Sequence, residues 1–361
     1  MPETPLSELA VYNAVPTVRV NGQAHEKVTE LLIGMEMTEQ EGGLSALELR
    51  FSNIASDPQG GADYAFEDDE ILKLGAEVLV YAGERTAPQE IFQGRITGLE
   101  ACYPATAPAE LVVLAEDRFQ QARMARRTKL HENPTLAGLA RGLATQLSLR
   151  PVVTGFSETL PPQMQLNESD LAFLRRLLAR YDGDLQIVGA ELHVSPRAEV
   201  RRGALELARN GQLKSARVLA DLAHQVTEVT VSGWDALQGR RVSAASQGAH
   251  LLPGAGRSGA QLLERAFGER SEHLGHLAAV TSDEASALAD AAYDARARGF
   301  VSVEATAEGN PAIRIGSHVT LNGLGRRFDN TYYVTRACHR YDVKRGYETD
   351  FEAESAYWGL V

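Results

Sequence analysis

The strongest constraint on the fold of this chain is a short sequence pattern that occurs twice. Residues 74–80 (LGAEVLV) and 315–321 (IGSHVTL) each begin with an apolar residue and a glycine, and then alternate apolar and polar residues. Alternation with a period of two is typical of a half-buried β-strand. Each copy runs into a glycine, Gly83 or Gly323, and each is followed by a second predicted strand.

The second strands are residues 91–97 and 332–337, and within them Ile96 corresponds to Val334. The two copies lie more than half of the 361-residue chain apart and have unlike sequence between them. This separation favours one β-domain used twice over a solenoid, whose period is roughly 20 to 50 residues. On the pattern alone, two unrelated hairpins that share glycine and alternating valine remain the alternative.

Composition limits the class of protein. A chain of 361 residues predicts two to four domains of about 100 to 150 residues each. No apolar stretch approaches the roughly 20 residues of a membrane-spanning helix, so we expect no membrane insertion. The N-terminus lacks a signal peptide, which predicts synthesis in the cytosol. There the two cysteines, Cys102 and Cys338, are expected to be buried or half-buried thiols and not a disulfide.

The net charge of −12 argues against a surface that coats nucleic acid, because such binding depends on Lys and Arg that neutralise phosphates. We therefore expect no specific nucleic-acid binding. The basic stretch 123–129 is the exception in sequence; it is interpreted as a solvated charged surface, with contact to an acidic neighbour as the alternative.

Periodicity divides the chain into three predicted domains. Residues 1–117 predict a first β-barrel of five or six strands. Residues 118–224 predict an α+β middle domain, with one helix from about residue 135, a second that begins at Ser169 and Asp170, and a hairpin across Gly189. Residues 225–361 predict a second β-barrel, with strands at 226–231 and 241–244 and a loop and helix insertion at about 248–299. The predicted fold class is thus β-rich α+β, with two similar small barrels, an α+β domain between them and a helical insertion.

This order of domains, together with two sequence motifs, resembles a known family. Residues 166–177 (LNESDLAFLRRL) match an N-E-S-D-x-x-F-x-x-R-L helix, and the closing stretch matches G-x-P-x-x-x-x-G-x-x-V, Y-x-V-x-x-x-x-H and Y-x-T steps at 309–319, 332–339 and 347–349. Both are similar to the late-control (gene D type) hub proteins of contractile phage tails. The same likeness extends to the N-terminal hub region of VgrG and to hub proteins of extracellular contractile injection systems.

The resemblance implies a structural, non-enzymatic baseplate hub. In such hubs two similar barrels per chain form, in a homotrimer, a ring of pseudo-sixfold symmetry that adapts the hexameric tail tube, or a tube-initiator protein, to a trimeric spike. The sequence stops at Val361, soon after the second barrel, so the spike is expected to be a separate polypeptide. Baseplate wedge and tape-measure proteins are further candidate neighbours. The protein would be made in the bacterial cytoplasm and assembled into a virion or injection particle, whose channel lining the −12 charge predicts to be acidic.

Other chemistry finds little support in the sequence. Residues 254–259 (GAGRSG) fit G-x-G-x-x-G, but Pro253 precedes them and no βαβ alternation surrounds them, so a flexible insertion loop is favoured over a nucleotide site. His273 and His276 lie three residues apart without a third metal ligand nearby. We therefore predict no catalytic, cofactor-binding or metal residues. The alternatives are a peptidoglycan- or cell-wall-binding module built around residues 134–149 and, less favoured, a metal- or nucleotide-dependent enzyme.

Overall fold

The computed structural model describes residues 12–56, 62–67, 69–84, 87–248, 251, 253–275 and 279–359. Within these ranges the helices are α1 (Glu26–Leu31), α2 (Phe119–Met124), α3 (Leu136–Gln146), α4 (Asp170–Ala179), α5 (Gly259–Phe267) and α6 (Ser282–Arg298).

The strands of the N-terminal third are β1 (Tyr12–Val20), β2 (Gln23–Ala24), β3 (Leu32–Gln40), β4 (Ala46–Ser52), β5 (Ala55–Ser56), β6 (Ala62–Asp63), β7 (Glu77–Glu84), β8 (Gln89–Cys102) and β9 (Glu110–Glu116). The middle of the chain contains β10 (Arg126–His131), β11 (Arg150–Val153), β12 (Gln163–Ser169), β13 (Gly183–Val188), β14 (Glu191–Pro196), β15 (Ala204–Ala208) and β16 (Leu213–Ala220). The remaining strands are β17 (Glu228–Asp235), β18 (Arg240–Ser246), β19 (Arg257–Ser258), β20 (Ser271–Leu274), β21 (Val301–Glu308), β22 (His318–Asn322), β23 (Asn330–Asp342), β24 (Gly346–Ser355) and β25 (Tyr357–Trp358).

One sheet of 13 strands dominates the molecule, which confirms the β-rich prediction. Its order is β16-β21-β24-β23-β3-β4-β9-β8-β7-β1-β2, and β22 and β15 join it at the edge of β23. All pairings are antiparallel except that between β15 and β22. The sheet therefore takes strands from the two distant parts of the chain that carry the repeated pattern.

The repeated pattern has the same hydrogen bonds in both copies. The Gly75 amide donates to the Ile96 carbonyl at 2.8 Å, and the Gly316 amide donates to the Val334 carbonyl at 3.0 Å. In return Ile96 donates to Ala76 at 2.9 Å and Val334 donates to Ser317 at 3.0 Å. The correspondence between Ile96 and Val334 that the sequence predicts is thus present in the backbone.

The strand order around the two copies is also the same. In the first, β7-β8-β9-β4-β3 are neighbours in that order; in the second, β22-β23-β24-β21-β16 are neighbours, and the strands follow one another along the chain in the same sequence. The two five-strand sets join where β3, an edge strand of the first set, pairs with the C-terminal half of β23 beyond the end of β22, from Gln40 opposite Arg336 to Gly34 opposite Asp342. Among the described residues the two sets form one continuous sheet, and this pairing pattern does not separate them into two barrels.

Local sequence accounts for several of the element ends. Asn21 and Gly22 link β1 to β2 with φ of +49° and +79°, a conformation that favours asparagine and glycine. The Ser169 hydroxyl accepts a hydrogen bond from the Ala172 amide at 3.2 Å and caps α4, as the sequence predicts. The Thr135 hydroxyl accepts from the Gly138 amide at 2.9 Å and caps α3.

The middle of the chain packs around its own core, formed by α2, α3, α4 and the three-stranded sheet β11-β14-β13. The predicted hairpin across Gly189 is present as β13 and β14. A separate two-stranded ribbon, β10 with β12, lies beside α4.

Strands that the sequence assigned to the second barrel belong elsewhere. Residues 226–231 and 241–244 were expected in that barrel, but β17 and β18 pair with each other and with β20 in a separate three-stranded sheet packed against α6. The 13-stranded sheet instead takes β15 and β16, which precede residue 225. Alternation marks a strand but does not encode which sheet it joins, which tertiary packing decides.

Candidate functional site

One face of the large sheet is buried against the cores and the other is open. In β21 the side chains of Val301, Val303 and Ala307 are buried, whereas Glu304 and Glu308 between and beyond them are exposed. The same alternation occurs in β4 of the first five-strand set. Because successive side chains of a strand point to opposite faces, the exposed residues of both sets share one surface.

This surface, the open sheet face, is charged and crosses both sets. Its exposed or partly exposed charged members include Glu36, Glu48, Arg50, Glu110, Arg217, Glu304, Glu308, Arg336, Arg340, Glu348, Asp350 and Glu352. Carboxylates therefore outnumber guanidiniums on it. Neighbouring strands pair opposite charges, as in Arg336 with Glu352 at 3.0 Å and Arg340 with Asp350 at 2.7 Å. Exposed pairs of this kind contribute only about 0–1 kcal/mol each, so the face is not explained by stability alone.

An ion pair between a half-buried arginine and a buried carboxylate lies where the two five-strand sets meet. Arg314 donates to Glu39 of β3 from Nε at 2.8 Å and from Nη2 at 2.7 Å, and the Ile315 amide donates to the same carboxylate at 2.8 Å. Burial by itself would raise the pKa of Glu39, but the Arg314 guanidinium and these hydrogen bonds outweigh it and lower the pKa. Glu39 is thus held ionised in the interior.

His339 is fully buried beside this pair. Its Nδ1 lies 2.7 Å from the Tyr347 hydroxyl and 3.2 Å from the Thr349 hydroxyl. Burial, and then the Arg314 charge, lowers the pKa of His339 to about 4. The ring is therefore neutral at pH 7 and acts as a packed hydrogen-bonding group.

A second group of buried charges joins the middle of the chain to the large sheet; we call it the central ion-pair cluster. Arg197 pairs with Glu41 at 2.9 Å and with Glu354 at 2.8 Å, and its guanidinium lies 4.4 Å from the centre of the Tyr333 ring. The Tyr333 hydroxyl donates to Glu41 at 3.2 Å. Glu41 follows β3, so the cluster contacts both five-strand sets.

The cluster continues into the turn after α4 and the end of α6. Arg298 donates to both oxygens of Asp182 at 2.6 Å and to Glu354 at 3.1 Å, and Arg202 pairs with the buried Asp184. Four carboxylates face three guanidiniums, Glu41 included. Burial raises the pKa of Glu41 to about 7 although Arg197 lowers it, and Glu354 and Asp184 add to the rise.

The N-E-S-D motif has a structural role in this fold. Glu168 accepts from Arg176 Nε and Nη2 at 2.8 Å, and Phe173 stacks on His131 with ring centres 4.7 Å apart. Asp170 accepts from Gln165 at 3.0 Å. The motif therefore fixes α4 to β10 and β12.

The glycine-rich loop at 254–259 is packed against other parts of the chain. A Cβ at Gly254 would lie 2.6 Å from the Ser355 hydroxyl, and one at Gly256 would lie 1.9 Å from the Gly359 carbonyl. Ser258 and Gln261 form a capping box at the start of α5. The glycines at 254 and 256 thus allow close backbone approach to the C-terminal strands, and the expectation of a flexible insertion loop stays a prediction.

Of the two histidines that lie three residues apart in sequence, one is among the described residues. His273 lies on β20, where Nδ1 is 3.0 Å from the Thr230 hydroxyl and Nε2 is 3.3 Å from the Ser232 hydroxyl; His276 lies outside the described residues. Among the described residues no group of three or more His, Cys, Asp or Glu side chains is placed to hold a metal ion. Cys102 and Cys338 are both free thiols, the second of them buried.

Sequence reasoning missed both buried charge groups. Arg314 lies inside the closing stretch that carries the resemblance, but its partner Glu39 is 275 positions away and no local pattern links them. Arg197 follows the end of β14 and Arg298 is the last residue of α6, positions where an exposed charge is the default. Within the described part of the chain, none of the helices has the length and apolar character needed to cross a bilayer.

Comparison with known families places the chain. The family model described as Alg8 N-terminal domain matches residues 17–342. The chain belongs to this family. A search of curated proteins returns no match for this Alg8 N-terminal domain chain.

Solved structures share the fold of this Alg8 N-terminal domain chain at low sequence identity. The 43 kDa tail protein of prophage MuSo2 from Shewanella oneidensis has a TM-score of 0.68 and 14% identity, with 94% of this chain and 97% of that chain covered. The tail protein from Neisseria meningitidis MC58 has a TM-score of 0.66 and 11% identity, with 95% and 99% covered.

A third similar structure is an E. coli protein described as a component of the type VI secretion system with structural similarity to T4 bacteriophage tail proteins. It has a TM-score of 0.55 and 13% identity, with 95% of this chain and 78% of that chain covered. At these identities the likeness shows a shared fold, and that fold is one of phage tail and type VI secretion proteins.

Proposed function

We propose that the chain is a structural baseplate hub of a contractile tail or injection machine, and not an enzyme. Three copies would form a ring of pseudo-sixfold symmetry that adapts a hexameric tail tube to a separate trimeric spike. The observation that carries this proposal is the five-strand order that occurs twice within one continuous sheet. A trimer of such a chain presents six similar strand sets, which is the symmetry match that a joint between a hexamer and a trimer requires.

The ends of the large sheet support assembly. Among the described residues, β16 at one end and β1 with β2 at the other have no further strand partner on their outer edges. Exposed strand edges invite pairing with another chain, and a closed ring of copies covers them. The fold shared with phage tail proteins over almost the full length of two solved chains points the same way.

The open sheet face supplies the surface of the proposed channel. It crosses both five-strand sets and has more carboxylates than guanidiniums, so in a ring it would repel a polyanion such as DNA. The domain boundaries at residues 117 and 224 stay predictions. So does the kind of particle in which the hub resides. Wedge and tape-measure proteins remain candidate neighbours.

The test is the solution mass of the purified chain, measured by light scattering alone and with a candidate trimeric spike protein. A mass of three chains, or three chains per spike trimer, is expected. A monomer under both conditions would overturn the hub proposal; binding to purified peptidoglycan would then favour the cell-wall module.

A further inference from the structure

The two five-strand sets match strand by strand, including their irregularities. The register between β8 and β9 shifts at Thr97, and that between β23 and β24 shifts at Thr335. The register between β3 and β4 shifts at Ile33, and that between β16 and β21 shifts at Lys214. The strand pairings therefore assign each residue of one set a counterpart in the other, by which we mean the residue in the same place.

Only the first set has a neighbour on its outer strand within the chain. β3 pairs with the C-terminal half of β23, which places Met37 opposite His339. β16 is the counterpart of β3, but in the described part of the chain it pairs only with β21. The C-terminal half of β8 is the counterpart of that half of β23, and beyond Arg95 its one described strand partner is β9. The chain thus contains one complete junction and two free halves of a second.

The free half on β8 exposes apolar side chains whose counterparts are buried. Tyr103, directly after β8, is 63% exposed, whereas its counterpart Tyr341 on β23 is 8% exposed. Leu99 is 38% exposed, whereas its counterpart Ala337 is 0% exposed. Leu99 lies opposite the buried Val113, so it points to the buried face of the sheet.

Leu74, at the start of the repeated pattern, shows the same contrast. It is 63% exposed, whereas its counterpart Ile315 is 1% exposed and donates its amide to Glu39 of β3. The first set therefore has open apolar side chains at the place where the second set receives β3. Clustered exposed apolar groups mark a contact with another molecule.

The free half on β16 exposes a matching row. Met35 and Met37 of β3 are buried at the internal junction. Their counterparts on β16 are the exposed Ala216 and the partly buried Val218. These side chains lie opposite Ala305 and Val303 of β21, which are buried, so the row also belongs to the buried face of the sheet.

The ion pair of the internal junction has no equivalent at the free halves. Ala220 is the counterpart of Glu39, and Lys73 is the counterpart of Arg314. A contact between the two halves would thus bury apolar groups without burying a carboxylate.

We propose that β16 of one copy pairs antiparallel with the C-terminal half of β8 of the next copy, in the register that β3 has with β23. The inference rests on the proposed trimer and names its contact. The register sets three apolar pairs opposite each other on the buried face: Ala220 with Leu99, Val218 with Ala101, and Ala216 with Tyr103. Backbone hydrogen bonds then cover both free edges. Because the contact joins two different edges of identical chains, it is head-to-tail, and three such contacts close a ring.

A charge placed on either edge tests the contact. In Leu99→Asp and in Ala216→Asp the trimer is expected to dissociate at concentrations roughly 10- to 100-fold higher than for the unchanged chain, because each change buries a carboxylate without a partner. The matched control is Leu114→Asp. Leu114 lies on the neighbouring β9 and is also 38% exposed, but it points to the open sheet face, so its variant should stay trimeric. Circular dichroism and urea midpoints check folding.

The register also predicts a cross-link that needs one substitution. Arg217 is the counterpart of Glu36, which lies opposite Arg340, so across the contact it faces Cys102, a free thiol. On oxidation, Arg217→Cys is expected to form a disulfide with Cys102 of the next copy and to give covalent dimers and trimers on a non-reducing gel. Val218→Cys, which points to the other face, and Cys102→Ser/Arg217→Cys are the controls, and neither should cross-link.

The outcomes separate this contact from the hub proposal. A trimer that Leu99→Asp and Ala216→Asp leave unchanged, and that Arg217→Cys does not cross-link, would overturn the strand contact and leave the hub standing. Edge variants that stay trimeric but lose the spike would also overturn it, because the edges would then belong to the spike. An unchanged chain that is monomeric with and without the spike would remove the hub proposal and this contact with it.

Discussion

Arg314 and Glu39 join the two five-strand sets through a pair of parallel hydrogen bonds, at 2.8 and 2.7 Å. Glu39 is only 1% exposed and also accepts from the Ile315 amide. A buried carboxylate has lost its hydration and is tolerated only with donors such as these. The pair therefore fixes β3 of the first set to the segment before β22 of the second set.

Removal of one partner of this pair is expected to be costly. Arg314→Met leaves the Glu39 carboxylate buried without its cation and should lower the free energy of unfolding by about 3–5 kcal/mol. The double variant Glu39→Gln/Arg314→Met should cost less than Arg314→Met alone, because no buried charge is left over. Urea unfolding of both measures this.

The matched control is Arg336→Met on the open sheet face, where both side chains of the Arg336–Glu352 pair are exposed. That change is expected to cost less than about 1 kcal/mol. Equal losses for Arg314→Met and Arg336→Met would contradict the role of burial.

Glu41 predicts a dependence of stability on pH. Burial raises the pKa of Glu41 to about 7 in the folded chain, against an ordinary value of 4.5. The folded state thus retains a proton that the unfolded state has released, so the free energy of unfolding falls as pH rises from 4.5 through about 7. The size of this fall is on the order of 1–3 kcal/mol. Glu41→Gln should remove it in urea titrations, whereas Glu304→Gln on the open face should not.

His339 acts in the opposite direction. Its pKa is lowered to about 4 from 6.5, so its contribution to stability is present above 6.5 and is lost as pH falls through 4. Over pH 4.5 to 6.5 the two residues oppose each other. The Glu41→Gln variant should therefore lose stability more steeply on acidification than the unchanged chain, and His339→Asn should lose it less steeply. Parallel curves for all three proteins would contradict this account.

The sequence predicts local features well and distant pairings poorly. The backbone bonds of Gly75 and Gly316, the turn at Asn21 and the cap at Ser169 follow from short patterns whose physics is local. The junction of β3 with β23 depends on register between strands about 300 positions apart, which only tertiary packing determines. For the same reason β17 and β18 were expected in the wrong sheet.

The candidate surfaces show the same limit. Charge counts alone predict an acidic protein with a basic stretch, but not which face of the sheet is open. Residues 126–131 appear in sequence as part of a solvated stretch, because their neighbour β12, with exposed Met164 and Leu166, lies more than 30 positions further along the chain. A cleft joins residues near 158 to residues near 283, and no sequence pattern brings these together.

The two equivalent glycines of the repeat offer a matched pair of substitutions. Gly75 and Gly316 have φ of +82° and +80°, so an alanine at either position is strained by about 1–2 kcal/mol. A Cβ at Gly75 would meet nothing within 4 Å, but one at Gly316 would lie 2.5 Å from Val200 Cγ1 and 2.7 Å from Arg202 Nη1.

Gly316→Ala is therefore expected to lower the free energy of unfolding by about 1–3 kcal/mol more than Gly75→Ala, because overpacking adds to the backbone strain. Urea midpoints of the two variants measure the difference. A Gly75→Ala loss equal to that of Gly316→Ala would mean that the backbone conformation alone requires glycine at both positions. A larger loss at Gly316 would show that the second copy has been fitted to the segment containing Val200 and Arg202, a neighbour that the first copy does not have.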